Sequence, residues 1–169
     1  MAHQDRRDDD VTVRAADRPG DLGWTVMAHG ELYDRQFGWN TDFEALVARI
    51  VADYAADHDP SAEAAWIAEA DGERIGCVFL VRGDDPEAAK LRILLVTPDA
   101  RGRGVGTRLV EECLAFARKA GYRRVVLWTN DVLVSARRIY QAAGFILTAE
   151  EPHHSFGHDL VGQTWTLRL

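Results

Sequence analysis

Between residues 91 and 121 the chain changes its period. LRILLV is almost continuously apolar, the pattern of a strand buried within a sheet, and Pro98 closes it. RGRGVGT follows, with glycines at 102, 104 and 106. Val105, Leu109, Val110, Cys113, Leu114 and Ala117 then recur along one helical face until Gly121 stops the helix. YRRVVLWTN supplies the next strand, so this stretch is a βαβ core.

The flanks add to it on both sides. VTVRA alternates as a first strand, and Asp21 is placed to cap a helix through LGWTVMAHGELYDRQFG. A second helix carries Phe43, Leu46, Val47, Ile50, Val51 and Tyr54, with Thr41 and Glu44 in the form of a capping box. AAWIAEA and RIGCVFLVR make a hairpin about DGE. After the core come a short helix ended by Gly144, a strand FILTAEE, a loop PHHSFGHDL and a last strand VGQTWTLRL. The expected order is β-α-α-β-β-β-α-β-α-β-β, a mixed α/β (α+β) fold. Residues 1–10 read as a flexible polar tail and 11–169 as a single domain.

Composition narrows the class. A chain of 169 residues, 47% hydrophobic and 28% charged, can bury a proper core. A net charge of -7 argues against nucleic acid as a partner, although Arg101, Arg103 and Arg108 form a local basic patch. Cys77 and Cys113 lie in apolar stretches, as buried thiols of a cytoplasmic protein do. No signal-peptide pattern opens the chain and no apolar run is long enough to span a membrane.

A helix N-terminus presents unpaired N–H groups, and glycines let a ligand come close to the backbone, so the loop suits an anion. A kinase-type phosphate loop would need a lysine that is absent here. A dinucleotide or S-adenosylmethionine site shares the order strand, glycines, helix, strand, with Asp131 as a ribose partner, but TPDAR separates strand and glycines. R-x-x-G-x-G over Arg101 to Gly106 could instead hold the pyrophosphate of coenzyme A.

LLVTPDARGRGVGTRLV and LWTNDVLVSARRIYQAAGF together resemble the two signature stretches of the GNAT superfamily of N-acyltransferases. LYDRQFGWN and EEPHHSFGHDLVGQTW are further similar to the acetyltransferase half of bacterial proteins that fuse a MarR-type regulator to a GNAT domain. The resemblance implies a mainly antiparallel central sheet of about seven strands, split between two central strands and flanked by about four helices. It implies acetyl-CoA as cosubstrate, no metal, and direct attack by an amine in a ternary complex. A non-catalytic CoA-binding sensor is the alternative of a different class.

The resemblance also implies roles. Backbone groups of Leu95 and Val96 would pair with the pantetheine arm, with an N–H near Val96 polarising the carbonyl. Arg101, Gly102, Arg103, Gly104, Val105, Gly106 and Thr107 would wrap the pyrophosphate. Asn130 would bond the cofactor arm, Arg137 or Arg138 would approach the phosphates, and Tyr140 would protonate the leaving thiolate. The strand before the glycine loop lacks the carboxylate common in the family, so Glu69, Glu31 or the histidines His153, His154 and His158 stand as candidate bases. Tyr33, Phe37 and Trp39 suit a small, partly aromatic acceptor pocket, and Arg92 could grip a substrate carboxylate. His154 and His158 have i, i+4 spacing, but only Asp159 could complete a metal site. The expected partners are acetyl-CoA and a small amine, with the exposed last strand as an edge for a homodimer.

Overall fold

The computed structural model describes residues 10–169. The expected tail, except for Asp10, lies outside the described residues. The elements follow the expected order. They are β1 (Val11–Ala15), α1 (Asp21–Phe37), α2 (Thr41–Asp57), β2 (Ala64–Ala70), β3 (Glu73–Arg82), β4 (Ala88–Val96), α3 (Val105–Ala120), β5 (Arg124–Asn130), α4 (Val134–Ala143), β6 (Ile146–Ser155) and β7 (His158–Arg168). A single 3-10 turn, Pro98–Ala100, joins β4 to the glycine loop.

The strands form one seven-stranded sheet in the order β1-β2-β3-β4-β5-β7-β6. All neighbours are antiparallel except β4 and β5, whose connection through α3 requires a parallel pair. That parallel ladder has four rungs, from Ala88↔Arg124 to Leu91↔Leu127, and then stops. Beyond it the two strands separate.

Alternation along β3 assigns the two faces. Val78 and Leu80 pack with α3 residues Leu109 and Cys113 and with Tyr140 of α4 in the larger core. Cys77 packs with Leu32 of α1, and Phe79 with Val47 and Val51 of α2, on the opposite face. Gly76 is required where β3, β4 and α3 meet, because a Cβ there would lie 2.9 Å from the Leu95 carbonyl oxygen and 3.1 Å from Leu109 Cδ1.

Four local expectations need correction. The last strand, β7, is not an exposed edge, because it pairs with β5 on one side and β6 on the other, and β6 is the edge. Asn40, not Thr41, caps α2, its Oδ1 accepting from the Asp42 N–H at 3.0 Å. Asp21 is the first residue of α1, buried, and its carboxylate accepts from Arg14, Arg74 and the Arg18 N–H. PHHSFGHDL is not a loop. β6 and β7 pair as far as Ser155↔His158, and only Phe156 and Gly157 turn, with φ of 58° and 85°. Positive φ at both central residues is the hairpin geometry that matches strand twist. Phe156 accepts this conformation while its ring is buried against Trp39 and Phe43.

Candidate active site

Where β4 and β5 part, two chambers meet through the sheet. The first, about 420 Å³, lies between Leu94–Val96 of β4, the glycine loop, the starts of α3 and α4, and the second half of α1 from Leu32 to Phe37. The second, about 450 Å³, lies on the α1–α2 face, between those helices, β4, β5 and the β6–β7 turn. Tyr33, Leu94, Leu133 and Ala136 line both.

The gap has a local cause. β4 carries a bulge opposite Cys77 to Phe79, and Ile93 sits there with φ of 48°, a costly conformation for a β-branched residue. The bulge advances the side-chain phase, so Lys90, Arg92 and Ile93 all open onto the second chamber.

The first chamber is built for an anion. Gly102 and Gly104 have φ of 78° and 73°, which turns the chain into α3. No side chain caps α3, and its first turn contains no acidic residue. The N–H groups of Val105, Gly106 and Thr107 therefore lack helical partners at the positive end of the macrodipole. Arg101 and Arg138 line the same space, and the exposed side chains of Val132 and Val134 give it an apolar rim.

Not every expected residue reaches this space. Arg103 belongs to the loop but is not among the residues lining the chamber. Arg137 is turned away, one turn-step from Arg138. Its Nη1 donates to the Asp131 carbonyl at 3.1 Å and its guanidinium lies 6.0 Å from the Trp165 ring. Arg138 is the one that lines the chamber.

Tyr140 faces the second chamber through the gap. It is buried, its ring meets Phe145 edge-on, and its hydroxyl has no hydrogen-bond partner among the described residues. Burial raises its pKa well above that of a free phenol, so it stays protonated at working pH. Asn130 lines the same chamber, and its Oδ1 accepts from His153 Nε2 at 2.7 Å. His153 thus stands behind Asn130 rather than in the chamber, with Ser155 Oγ at its other nitrogen.

Glu69 is not brought to either chamber. Arg14 of β1 pairs with it at 2.9 Å and Arg18 lies at 3.7 Å, and these hold its pKa low, which makes it a poor base. Glu31 is exposed beside Arg35, one turn along α1. His154 is exposed and pairs with Asp159, while His158 Nε2 donates to the Gly38 carbonyl and ties the β7 start to the end of α1. Among the described residues, no group of three His, Cys, Asp or Glu is arranged to hold a metal ion. Burial pushes the Cys77 thiol up to about 12 and raises Cys113 as well, so neither is a nucleophile at neutral pH.

The sequence reading missed His29. It lies in α1, fully buried, and lines the second chamber. Its Nδ1 donates to the Thr25 carbonyl at 2.7 Å, which leaves the lone pair on Nε2, and Nε2 has no partner among the described residues. The ring stacks on Tyr33 at 5.8 Å, and burial lowers its pKa to about 4. A single histidine on the buried face of a helix carries no motif. The signal available was its i, i+4 relation to Tyr33.

The glycine loop lines the first chamber, and the protonated phenol of Tyr140, carried by α4, lines the second. Residues 26–145 match the Acetyltransferase (GNAT) family, and the chain belongs to it. An uncharacterized N-acetyltransferase of Schizosaccharomyces pombe is 30% identical over 147 residues, covering 85% of this chain and 86% of that protein. Human N-acetyltransferase 8B is 37% identical over 93 residues, which is 53% of this chain but only 41% of the human protein. Among solved structures, a GNAT acetyltransferase from Staphylococcus aureus superposes with a TM-score of 0.77 at 15% identity, covering 94% of this chain and 98% of that one. One from Elizabethkingia anophelis with acetyl-CoA bound gives 0.65 at 19% identity, covering 95% and 99%. Among the described residues, no helix is long and apolar enough to cross a membrane.

Proposed function

We propose that this protein transfers the acetyl group of acetyl-CoA to the primary amine of a small molecule. The observation that carries the reading is the pair of chambers joined at Tyr33, Leu94, Leu133 and Ala136, with the anion cradle on one side only. The N–H groups from Arg101 to Thr107, helped by Arg138, hold the pyrophosphate. Leu95 and Val96, beyond the last β4–β5 rung, offer strand-like backbone to the pantetheine arm. The amine enters from the second chamber and attacks the thioester carbonyl. The N–C bond forms and the C–S bond breaks. Tyr140 gives its proton to the leaving thiolate, and the proton lost by the nitrogen restores the phenol.

A thermal-shift series tests the cosubstrate. Acetyl-CoA at about 100 times its Kd stabilises by about 2.7 kcal/mol, a rise of roughly 5–10 °C for a domain of this size. S-adenosylmethionine and NAD leave Tm unchanged. Stabilisation by those two and not by acetyl-CoA would sink the reading.

The cradle itself gives a test of opposite signs. Thr107 is exposed at the third position of α3 and lines the first chamber. In Thr107→Glu the new carboxylate sits at the positive helix end, so the ligand-free protein gains about 0.3–1 kcal/mol. The same charge occupies the phosphate position, so acetyl-CoA binding by calorimetry weakens at least ~10-fold. A variant that is less stable, or that binds as before, would show that the anion goes elsewhere.

A further inference from the structure

The second chamber differs from the first in what it recognises. Its wall is apolar and aromatic, from Trp39, Phe43, Ile50 and Phe156. Two cations, Lys90 and Arg92, line it from β4, and among the described residues the one carboxylate lining it is Asp84. Buried arginines are normally paired. Here Arg14 and Arg74 both bind Asp21, and Arg124 binds Asp85. Arg92 has no carboxylate within ion-pair distance among the described residues, with Asp53 and Asp84 acting on it from farther away. It nevertheless loses much of its hydration, and burial lowers its pKa. A guanidinium that is desolvated and lacks a direct partner is prepared for an incoming anion.

Spacing narrows the ligand further. Leu94, at the junction of the chambers, is two residues along β4 from Arg92, about 7 Å in an extended strand and less across a bulge. An anion held by Arg92 therefore shares the second chamber with the junction residues Tyr33, Leu94, Leu133 and Ala136.

Resting on the reading of the protein as an acetyltransferase of small amines, we infer that its acceptor is an amino acid with an apolar or aromatic side chain. Arg92 binds its carboxylate in bidentate fashion. Its side chain packs against Trp39, Phe43 and Phe156. Its amine is delivered to the gap beside Tyr140.

The test uses matched pairs that differ only in the carboxylate. Thiol release from acetyl-CoA is followed with L-phenylalanine against phenethylamine, L-leucine against isoamylamine, and spermidine as a cationic control. A charge-assisted contact makes kcat/KM about 10- to 100-fold higher for each amino acid than for its decarboxylated partner. Arg92→Gln collapses that ratio to within about 3-fold, chiefly by raising KM for the amino acid, and Arg92→Lys restores part of it. The acetyl-CoA thermal shift of both variants reports that they are folded. Equal or better turnover of the decarboxylated amines or of spermidine overturns the inference and leaves the acetyltransferase reading standing, as does an unchanged ratio in Arg92→Gln. Thiol release with none of these amines overturns the small-amine reading and this inference together.

Discussion

Replacing Tyr140 by phenylalanine lowers kcat by about 10²- to 10⁴-fold, the range for loss of a positioned general acid. Affinity for acetyl-CoA stays within about 2-fold, because Tyr140 lines the second chamber and not the first. Stability is also kept. The ring and its contact with Phe145 remain, and among the described residues the hydroxyl has no partner to lose. Steady-state kinetics with a thiol-release readout, beside calorimetric titration of acetyl-CoA, separates these effects. Turnover within a few fold of the wild type would remove Tyr140 from the chemistry. The pH–rate profile of the wild type should show no ionisation of this phenol near neutrality, since burial raises its pKa.

The second large effect is on stability. His29 has a folded pKa of about 4 against an ordinary value of 6.5, because the buried ring resists a charge. Between those values the unfolded chain binds a proton that the folded chain does not, so stability falls as pH falls. The contribution is fully present above pH 6.5 and costs about 2–3 kcal/mol by pH 4.5, roughly 5–10 °C in Tm. Asp21 acts in a different window. Three arginine contacts hold its pKa below 3.8, so its contribution is lost only at more acid pH. In His29→Phe an aromatic ring is kept, while both the Nε2 without a partner among the described residues and the Nδ1–H bond to the Thr25 carbonyl are removed. The variant should lose most of the decline between pH 6.5 and 4.5. Parallel slopes for variant and wild type in thermal melts would show that His29 is hydrated and titrates normally.

Much of the fold was legible because its signals are local and periodic. The change from strand to helix at RGRGVGT, the apolar face of α3 and the Asp71–Gly72 turn each follow from a few adjacent residues. The Phe156–Gly157 turn was hidden because Phe is an unusual choice for positive φ, and the end of β6, with Pro152, His153 and His154, is an exposed edge with no apolar alternation to mark it as a strand. The site divides in the same way. The glycine loop could be placed at a helix start from seven consecutive residues, and the structure has six of them lining the first chamber. Glu69 and Glu31 could not be judged, since what removes Glu69 from use is Arg14, more than fifty residues away and placed beside it by the β1–β2 pairing. Arg137 and Arg138 are adjacent, and only the roll of α4 decides which one reaches the first chamber.

The four-rung ladder between β4 and β5 has a consequence for traffic. On the proposed reading each substrate has its own chamber, and the two meet where Tyr33, Leu94, Leu133 and Ala136 line both. Neither has to leave before the other can enter, and neither product has to pass the other on its way out. A covalent adduct of the two substrates would behave differently. It would be threaded through the sheet like a pin through cloth, with a bulky group at each end, and could withdraw only by pulling one end through the gap or by prising the strands apart. Its dissociation would then be governed by opening of the sheet rather than by its contacts, and would slow far more than the sum of the two halves implies.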